Sequence, residues 1–171
     1  MSGRYRIEQL AAGHDRSAFA SGSEPLDRYF RAQATQDARR RLSFCFVAVE
    51  IGTGALAGFC TLAATHVPLT QLPTATTRQL PRYPVVPAVL LGRLAVDGRH
   101  QAQGLGVALV ADALARALRA EIATFAMVVD AKDERARRFY ERLGFAPLPG
   151  EERRLVLPLD SARALVGESG A

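Results

Sequence analysis

The stretch that most constrains this chain is LLGRLAVDGRHQAQGLG, residues 90–106. Its first half is an apolar, β-compatible run that reads as a buried strand, and Asp97-Gly98 ends it. From Leu105 onward the apolar residues recur as Leu105, Leu109, Ala113, Leu114, Ala117 and Leu118, the spacing of a helix face. Gly104 and Gly106 therefore stand at a helix start. The first backbone N–H groups there have no partner inside the helix, and the helix dipole favours an anion. Glycine lets that anion approach closely, so the stretch predicts a phosphate-binding turn. A plain strand–turn–helix junction without a ligand is the alternative.

Named residues separate the known phosphate loops. A Walker-type loop needs Lys-Ser or Lys-Thr after its last glycine, and Val107-Ala108 stands there. A dinucleotide fingerprint needs a third glycine where Leu109 stands, although Asp130 would serve as its acid. What remains is Q-x-x-G-x-G, from Gln101 to Gly106.

The rest of the chain is organised around this unit. It has 171 residues, enough for one domain with its own core, and a net charge of +5 that suits a polyanionic partner without requiring one. No apolar run is long enough to span a bilayer, and no secretory segment opens the chain, so a cytoplasmic protein is expected. Cys45 and Cys60 fall in strand-like runs and read as reduced, buried thiols. A strand is expected over 4–10, a short helix over 13–20, and a helix from Pro25 to about Ala38. That second helix has Leu26, Tyr29, Phe30 and Ala34 on its buried face. Asp27, Arg28, Arg31, Gln33 and Asp37 are on its wet face. A hairpin follows over 44–51 and 56–65, turning at Gly52-Thr53-Gly54. Residues 67–87, with five prolines, read as a long ordered loop. A strand over 125–131, a helix capped by Asp133 and ended by Gly144, and two strands over 145–148 and 153–159 close the domain. The fold class is α/β, mixed with α+β: a central mixed, largely antiparallel sheet flanked by helices. The domain spans 1–160, with 161–171 as a C-terminal tail that can hold a fraying helical turn.

The strand before the glycine turn, its length, and the downstream D-x-x-A-x-x-F-Y-E-R-L-G-F from Asp133 to Phe145 together resemble the GNAT superfamily of acyl-CoA-dependent N-acetyltransferases. The resemblance covers the chain from the first strand to about Leu159. It implies acetyl-CoA as cofactor, with Leu94, Ala95 and Val96 along its pantetheine arm. Gln101, Ala102, Gln103, Gly104, Leu105 and Gly106 would then stand around its pyrophosphate. Many members carry Asn where this chain has Asp133.

Five scattered strings carry a narrower resemblance: Leu26-Asp27-x-Tyr29, Ala34-x-Gln36-Asp37-x-Arg39-Arg40, Leu80-Pro81-Arg82-Tyr83-Pro84, Gly92-Arg93-Leu94-Ala95-Val96-Asp97 and Val129-Asp130-Ala131-Lys132-Asp133. They look like the GNAT toxins of bacterial toxin–antitoxin modules. That implies acetylation of the α-amine of aminoacyl-tRNA, a block on translation, and a ribbon-helix-helix antitoxin through which any DNA contact would be indirect. Two other activities stay open: a GNAT enzyme acting on a small amine or a protein N-terminus, and a non-catalytic acyl-CoA-binding module. A homodimer is the default expectation for assembly.

Tyr140 stands where the family places a tyrosine beside the thioester sulfur. A phenol there donates to the sulfur as it gains charge; a core tyrosine on the face of Ala136, Phe139 and Leu143 is the alternative. His66 and His100 are expected at surface or turn positions, and no side-chain set has metal-ligand spacing. Phosphate contacts to a tRNA would come from arginines, with Arg39, Arg40, Arg78, Arg82 and Arg93 as candidates and Tyr83 as a stacking partner. Alternation along the strand leaves the direction of Arg93 open.

Overall fold

The computed structural model describes residues 3–167. In chain order it holds β1 (Tyr5–Gln9), α1 (Glu24–Ala32), α2 (Ala34–Arg39), β2 (Phe44–Glu50), β3 (Leu56–Pro68), α3 (Thr74–Thr77), β4 (Val85–Val96), α4 (Leu105–Arg119), β5 (Ala126–Asp130), α5 (Glu134–Arg142), β6 (Ala146–Leu148), β7 (Glu151–Pro158) and α6 (Leu159–Val166). The strands form one seven-stranded sheet in the order β1-β2-β3-β4-β5-β7-β6. β4 and β5 are parallel, with Ala88 opposite Ala126 and Leu91 opposite Val129. A helical crossover through α4 requires that direction. The pairs β1–β2, β2–β3, β5–β7 and β6–β7 are antiparallel. The sheet is mixed and largely antiparallel, as expected.

The chain divides into two compact units: residues up to Ala63 with Gly92–Ala113, and Ala64–Leu91 with Leu114 onward. In the first, Phe30 stacks on Phe59 at 4.3 Å between centroids, and Phe19 meets both edge-on. Burying each such ring contributes about 1.5–3 kcal/mol. Gly58 of β3 permits a close approach of α4: a Cβ there would sit 3.0 Å from Leu109 Cδ1 and 3.1 Å from the Ala95 carbonyl. Cys45 belongs to the same cluster, and burial pushes its thiol up to about 12. It is a packing residue, not a nucleophile. In the second unit Val67, Leu72, Val86, Ala88, Ala126, Val128, Leu148 and Val156 form the core.

Several expectations are corrected. Residues 13–20 form turns, not a helix. Asp15 takes the Ser17 N–H and hydroxyl, and α1 pins the segment through Arg31 Nη1 on the Phe19 carbonyl. Such side-chain bonds compete with a helical ladder. The helix from Pro25 breaks at Gln33, whose φ of −120° is not helical, so two helices replace one. Asp27 is buried, because its carboxylate receives the Ser21 N–H and hydroxyl. The proline-rich segment is less irregular than expected. β3 runs on to Pro68, β4 starts at Val85, and the short α3 lies between them. At the C-terminal end, α6 takes in residues 161–166 of the expected tail, with Ala162 buried; residues 168–171 lie outside the described residues.

Candidate active site

The turn after β4 is built on Asp97, whose side chain is 1 % exposed. Its Oδ2 accepts the Ala20 N–H at 3.0 Å and its Oδ1 the Arg99 N–H at 2.9 Å. The Arg99 guanidinium adds bonds of 2.9 and 3.2 Å. Burial raises the affinity of this carboxyl for a proton. The bonds from Arg99 and Ala20 outweigh it, so the group lies below the ordinary carboxylate range. The Gly98 N–H also donates to the Ala20 carbonyl. The loop before α1 and the end of β4 are thus tied together.

Gln101 tightens the same tie. Its Nε2 donates to the carbonyls of Ser21 and Val96, both at 2.9 Å. The expected pyrophosphate ligand therefore has its side-chain N–H donors committed to backbone. Ala102 and Gly104 follow with φ of +59° and +80°, the left-handed region that is costly for alanine and free for glycine. Nothing lies within 4 Å of where a Gly104 Cβ would be, so the turn is open on that side. The first α4 bond runs from Ala108 N–H to the Gly104 carbonyl at 3.1 Å. The N–H groups of Leu105, Gly106 and Val107 precede it and are outside the helical ladder. Open space, a left-handed glycine and three helix-start donors fit a pyrophosphate.

β1 and β2 brace the turn. Arg4 Nη1 donates to Gln103 Oε1 at 2.7 Å, while its Nε and Nη2 bind Glu50 at 3.2 and 3.1 Å. Hydrogen bonds from Thr53 and Arg4 hold the Glu50 carboxyl below its usual range. Tyr5 Oη lies 2.8 Å from His100 Nδ1. His100 stands in the turn Gly98–His100, as expected, and is buried there, with this phenol satisfying its ring nitrogen. His66 is exposed.

The direction of Arg93 is now fixed. Its guanidinium carbon lies 3.6 Å from the centroid of the Tyr29 ring. Tyr29 Oη donates to Asp37 Oδ2 at 2.8 Å and lies 3.2 Å from Ser43 Oγ. Asp37 Oδ1 accepts from Gln33 at 3.0 Å. Burial raises the Tyr29 phenol pKa, and the Gln33 bond leads in lowering that of Asp37. Leu94 and Val96 are partly buried and Ala95 is buried.

In the other unit, Asp133 caps α5 by accepting the Ala136 N–H at 2.8 Å, as expected of a cap. Tyr140 lies in the last turn of that helix and is 4 % exposed. Its ring is edge-on to Phe139 at 5.2 Å and to Phe145 at 5.6 Å. Arg78, at the end of α3, and Arg82 and Tyr83 after it are all exposed, with Tyr83 at 62 %. Arg39 and Arg40, at the end of α2, are exposed as well. Sequence reasoning missed Tyr29, Asp37 and Ser43 as a set, and Arg4 and Glu50 as braces. Contacts between residues as far apart as 4 and 103 leave no local pattern to read.

Comparison with known proteins adds the following. Residues 7–145 match the model of the Acetyltransferase (GNAT) family. A tRNA-acetylating toxin of Mycobacterium tuberculosis is 35 % identical over 170 residues, covering 98 % of this chain and 100 % of that protein. A structure of AtaT complexed with acetyl-methionyl-tRNAfMet superposes with a TM-score of 0.85 at 29 % identity, covering 95 % of this chain and 99 % of that one. A structure of AtaTR bound with AcCoA gives a TM-score of 0.79 at 30 % identity, covering 96 % and 99 %. AtaT has also been solved as a mutant toxin bound to the C-terminus of the antitoxin AtaR, and KacTA in complex with DNA. The fold, the helix-start turn and these likenesses agree: the chain belongs to the GNAT acetyltransferase family.

Proposed function

We propose that this protein is an acetyl-CoA-dependent toxin that acetylates the α-amine of aminoacyl-tRNA and so blocks translation. The observation that carries the reading is the 35 % identity to a tRNA-acetylating toxin over 98 % of the chain. The open glycine turn, with its free helix-start donors, supports acetyl-CoA as the donor. When bound, acetyl-CoA supplies the acetyl group as a thioester.

The chain's own residues divide the work. The N–H groups of Leu105 and Gly106, at the open side of Gly104, hold the pyrophosphate, while Gln101, Ala102 and Gln103 shape the turn. The backbone of Leu94, Ala95 and Val96 carries the pantetheine amides. Tyr140 holds a proton on Oη for the sulfur that leaves. In the transfer that bound acetyl-CoA would support, the carbon–sulfur bond would break as the amine nitrogen bonds to the acetyl carbon. The Tyr140 phenol would stabilise or protonate the departing thiolate, and the proton shed by the amine nitrogen would go to solvent or restore the phenol. The acceptor amine needs little help. Free α-amino groups titrate at about 7.7–8.0, so a neutral fraction is present near pH 7. Exposed Arg39, Arg40, Arg78 and Arg82 supply phosphate contacts, and Tyr83 offers a ring for stacking.

A ribbon-helix-helix antitoxin is the expected partner, with operator DNA reached through it. A symmetric homodimer is the expected assembly. A cytoplasmic location is what a charged-tRNA substrate would call for; separately, among the described residues no helix is long and apolar enough to cross a membrane. Expression in a bacterial host tests the reading. Wild type is expected to arrest growth, and Tyr140→Phe to relieve the arrest at equal protein level. Normal growth with the wild type, or arrest that survives Tyr140→Phe, contradicts it.

A further inference from the structure

The pair formed by Arg93 and Tyr29 is not explained by the cofactor turn. Arg93 is half-buried on the central strand, yet among the described residues its guanidinium N–H groups meet no carboxylate or carbonyl. What fixes it is a ring face. Tyr29 lies under it at 3.6 Å, and the ring is itself pinned by Asp37 and Ser43. Asp37, the nearby acid, attracts Arg93 through charge, while its hydrogen bonds come from Tyr29 Oη and Gln33 Nε2. Arg93 is therefore oriented by stacking while its planar fork of donors stays unspent. A guanidinium held in this way is preorganised for bidentate contact with a phosphate.

Two features point to which phosphate. Arg93 shares a strand face with Ala95, which packs with Tyr29 in the core cluster, so it points away from the Leu94 side that is proposed to carry pantetheine. It is also three residues before Val96, roughly 10 Å along the strand. A partly buried guanidinium is reached more readily by a single strand than by the broad side of an RNA duplex. We infer that Arg93, set on the Tyr29 ring, is a fixed recognition residue for a phosphodiester in the single-stranded 3′ end of the charged tRNA. This rests on the functional reading above. The exposed Arg39 and Arg40 remain available for the duplex part.

The test is equilibrium binding of aminoacyl-tRNA across a salt series, for wild type, Arg93→Gln and Arg93→Lys. Arg93→Gln is expected to weaken binding about tenfold, the size of one charge-assisted hydrogen-bonded contact. It should also flatten the slope of log K against log salt by about 0.7, one single-strand phosphate. Arg93→Lys keeps the charge but loses the stacked fork, so it should keep the slope and lose part of the affinity. A tRNA trimmed of its 3′ single strand should bind wild type and Arg93→Gln alike. Acetyl-CoA affinity and the melting temperature, measured on the same samples, should stay within twofold and within a few degrees. An unchanged salt slope in Arg93→Gln overturns the inference. So does an equal loss on the trimmed tRNA, or a loss that appears in acetyl-CoA binding instead. Acetyl transfer by the wild type is scored separately, so the enzyme reading and the Arg93 assignment can fail independently.

Discussion

Asp97 illustrates how much one side chain carries. It closes β4, caps the turn that follows, and ties that turn to Ala20 and Arg99. Removing its charge as Asp97→Asn keeps the shape and weakens the bonds to Arg99, at a cost of about 1–3 kcal/mol at pH 7. The sign of its pH dependence follows from linkage. The folded carboxyl lies below its unfolded value of about 3.9, so its contribution is present above that value and is lost as pH falls through the folded one. Thermal melts of wild type and Asp97→Asn should therefore differ at pH 7 and draw together as pH falls below about 3.9. A difference that does not shrink as the medium is made more acid would show that the charge contributes nothing. Asp97 was read only as a strand stop. Its partners Ala20 and Arg99 are 77 positions before and two after it, and only the second is a local pattern.

At the scale of elements, the strand–turn–helix unit was legible because each of its parts is specified locally. Apolar runs set the strands, a 3.6 period set α4, and glycine set the turn. What failed was decided by contacts at a distance. The expected helix over 13–20 loses to the bonds Asp15 accepts from Ser17 and to Arg31 of α1 on the Phe19 carbonyl, and α1 and α2 separate at Gln33. The expected wet side of α1 loses Asp27 to the Ser21 turn. Position 58 illustrates the converse, a glycine whose role is invisible until β3 and α4 are packed. Gly58→Ala forces its Cβ against Leu109 and the Ala95 carbonyl at 3.0 and 3.1 Å, with backbone on one side that yields little. A destabilisation of about 1–3 kcal/mol is expected, read as a lower denaturant midpoint with unchanged slope. A midpoint equal to that of wild type would mean that the helix moves away freely. Of the candidate site, the turn comes from a local motif and Tyr140 from the family resemblance. The Tyr29–Arg93 stack, and the bracing of the turn by Arg4, Tyr5 and Glu50, come only from the fold.

For the molecule as a whole, the family match makes it a GNAT acetyltransferase, and the net charge of +5 and the likeness to a tRNA-acetylating toxin support the proposed substrate. The net charge of +5 suits an RNA partner, and turnover on tRNA is expected to fall as salt rises. The central claim is the transfer itself. It is tested most directly by incubating the protein with radiolabelled acetyl-CoA and either charged or uncharged tRNA, then collecting the RNA. The account predicts label on charged tRNA alone, lost when the aminoacyl ester is hydrolysed at mild alkaline pH. Tyr140→Phe should slow the transfer by about a hundredfold or more while binding acetyl-CoA as wild type does. A wild-type protein that binds acetyl-CoA and labels no charged tRNA, or that labels uncharged tRNA equally, would contradict it.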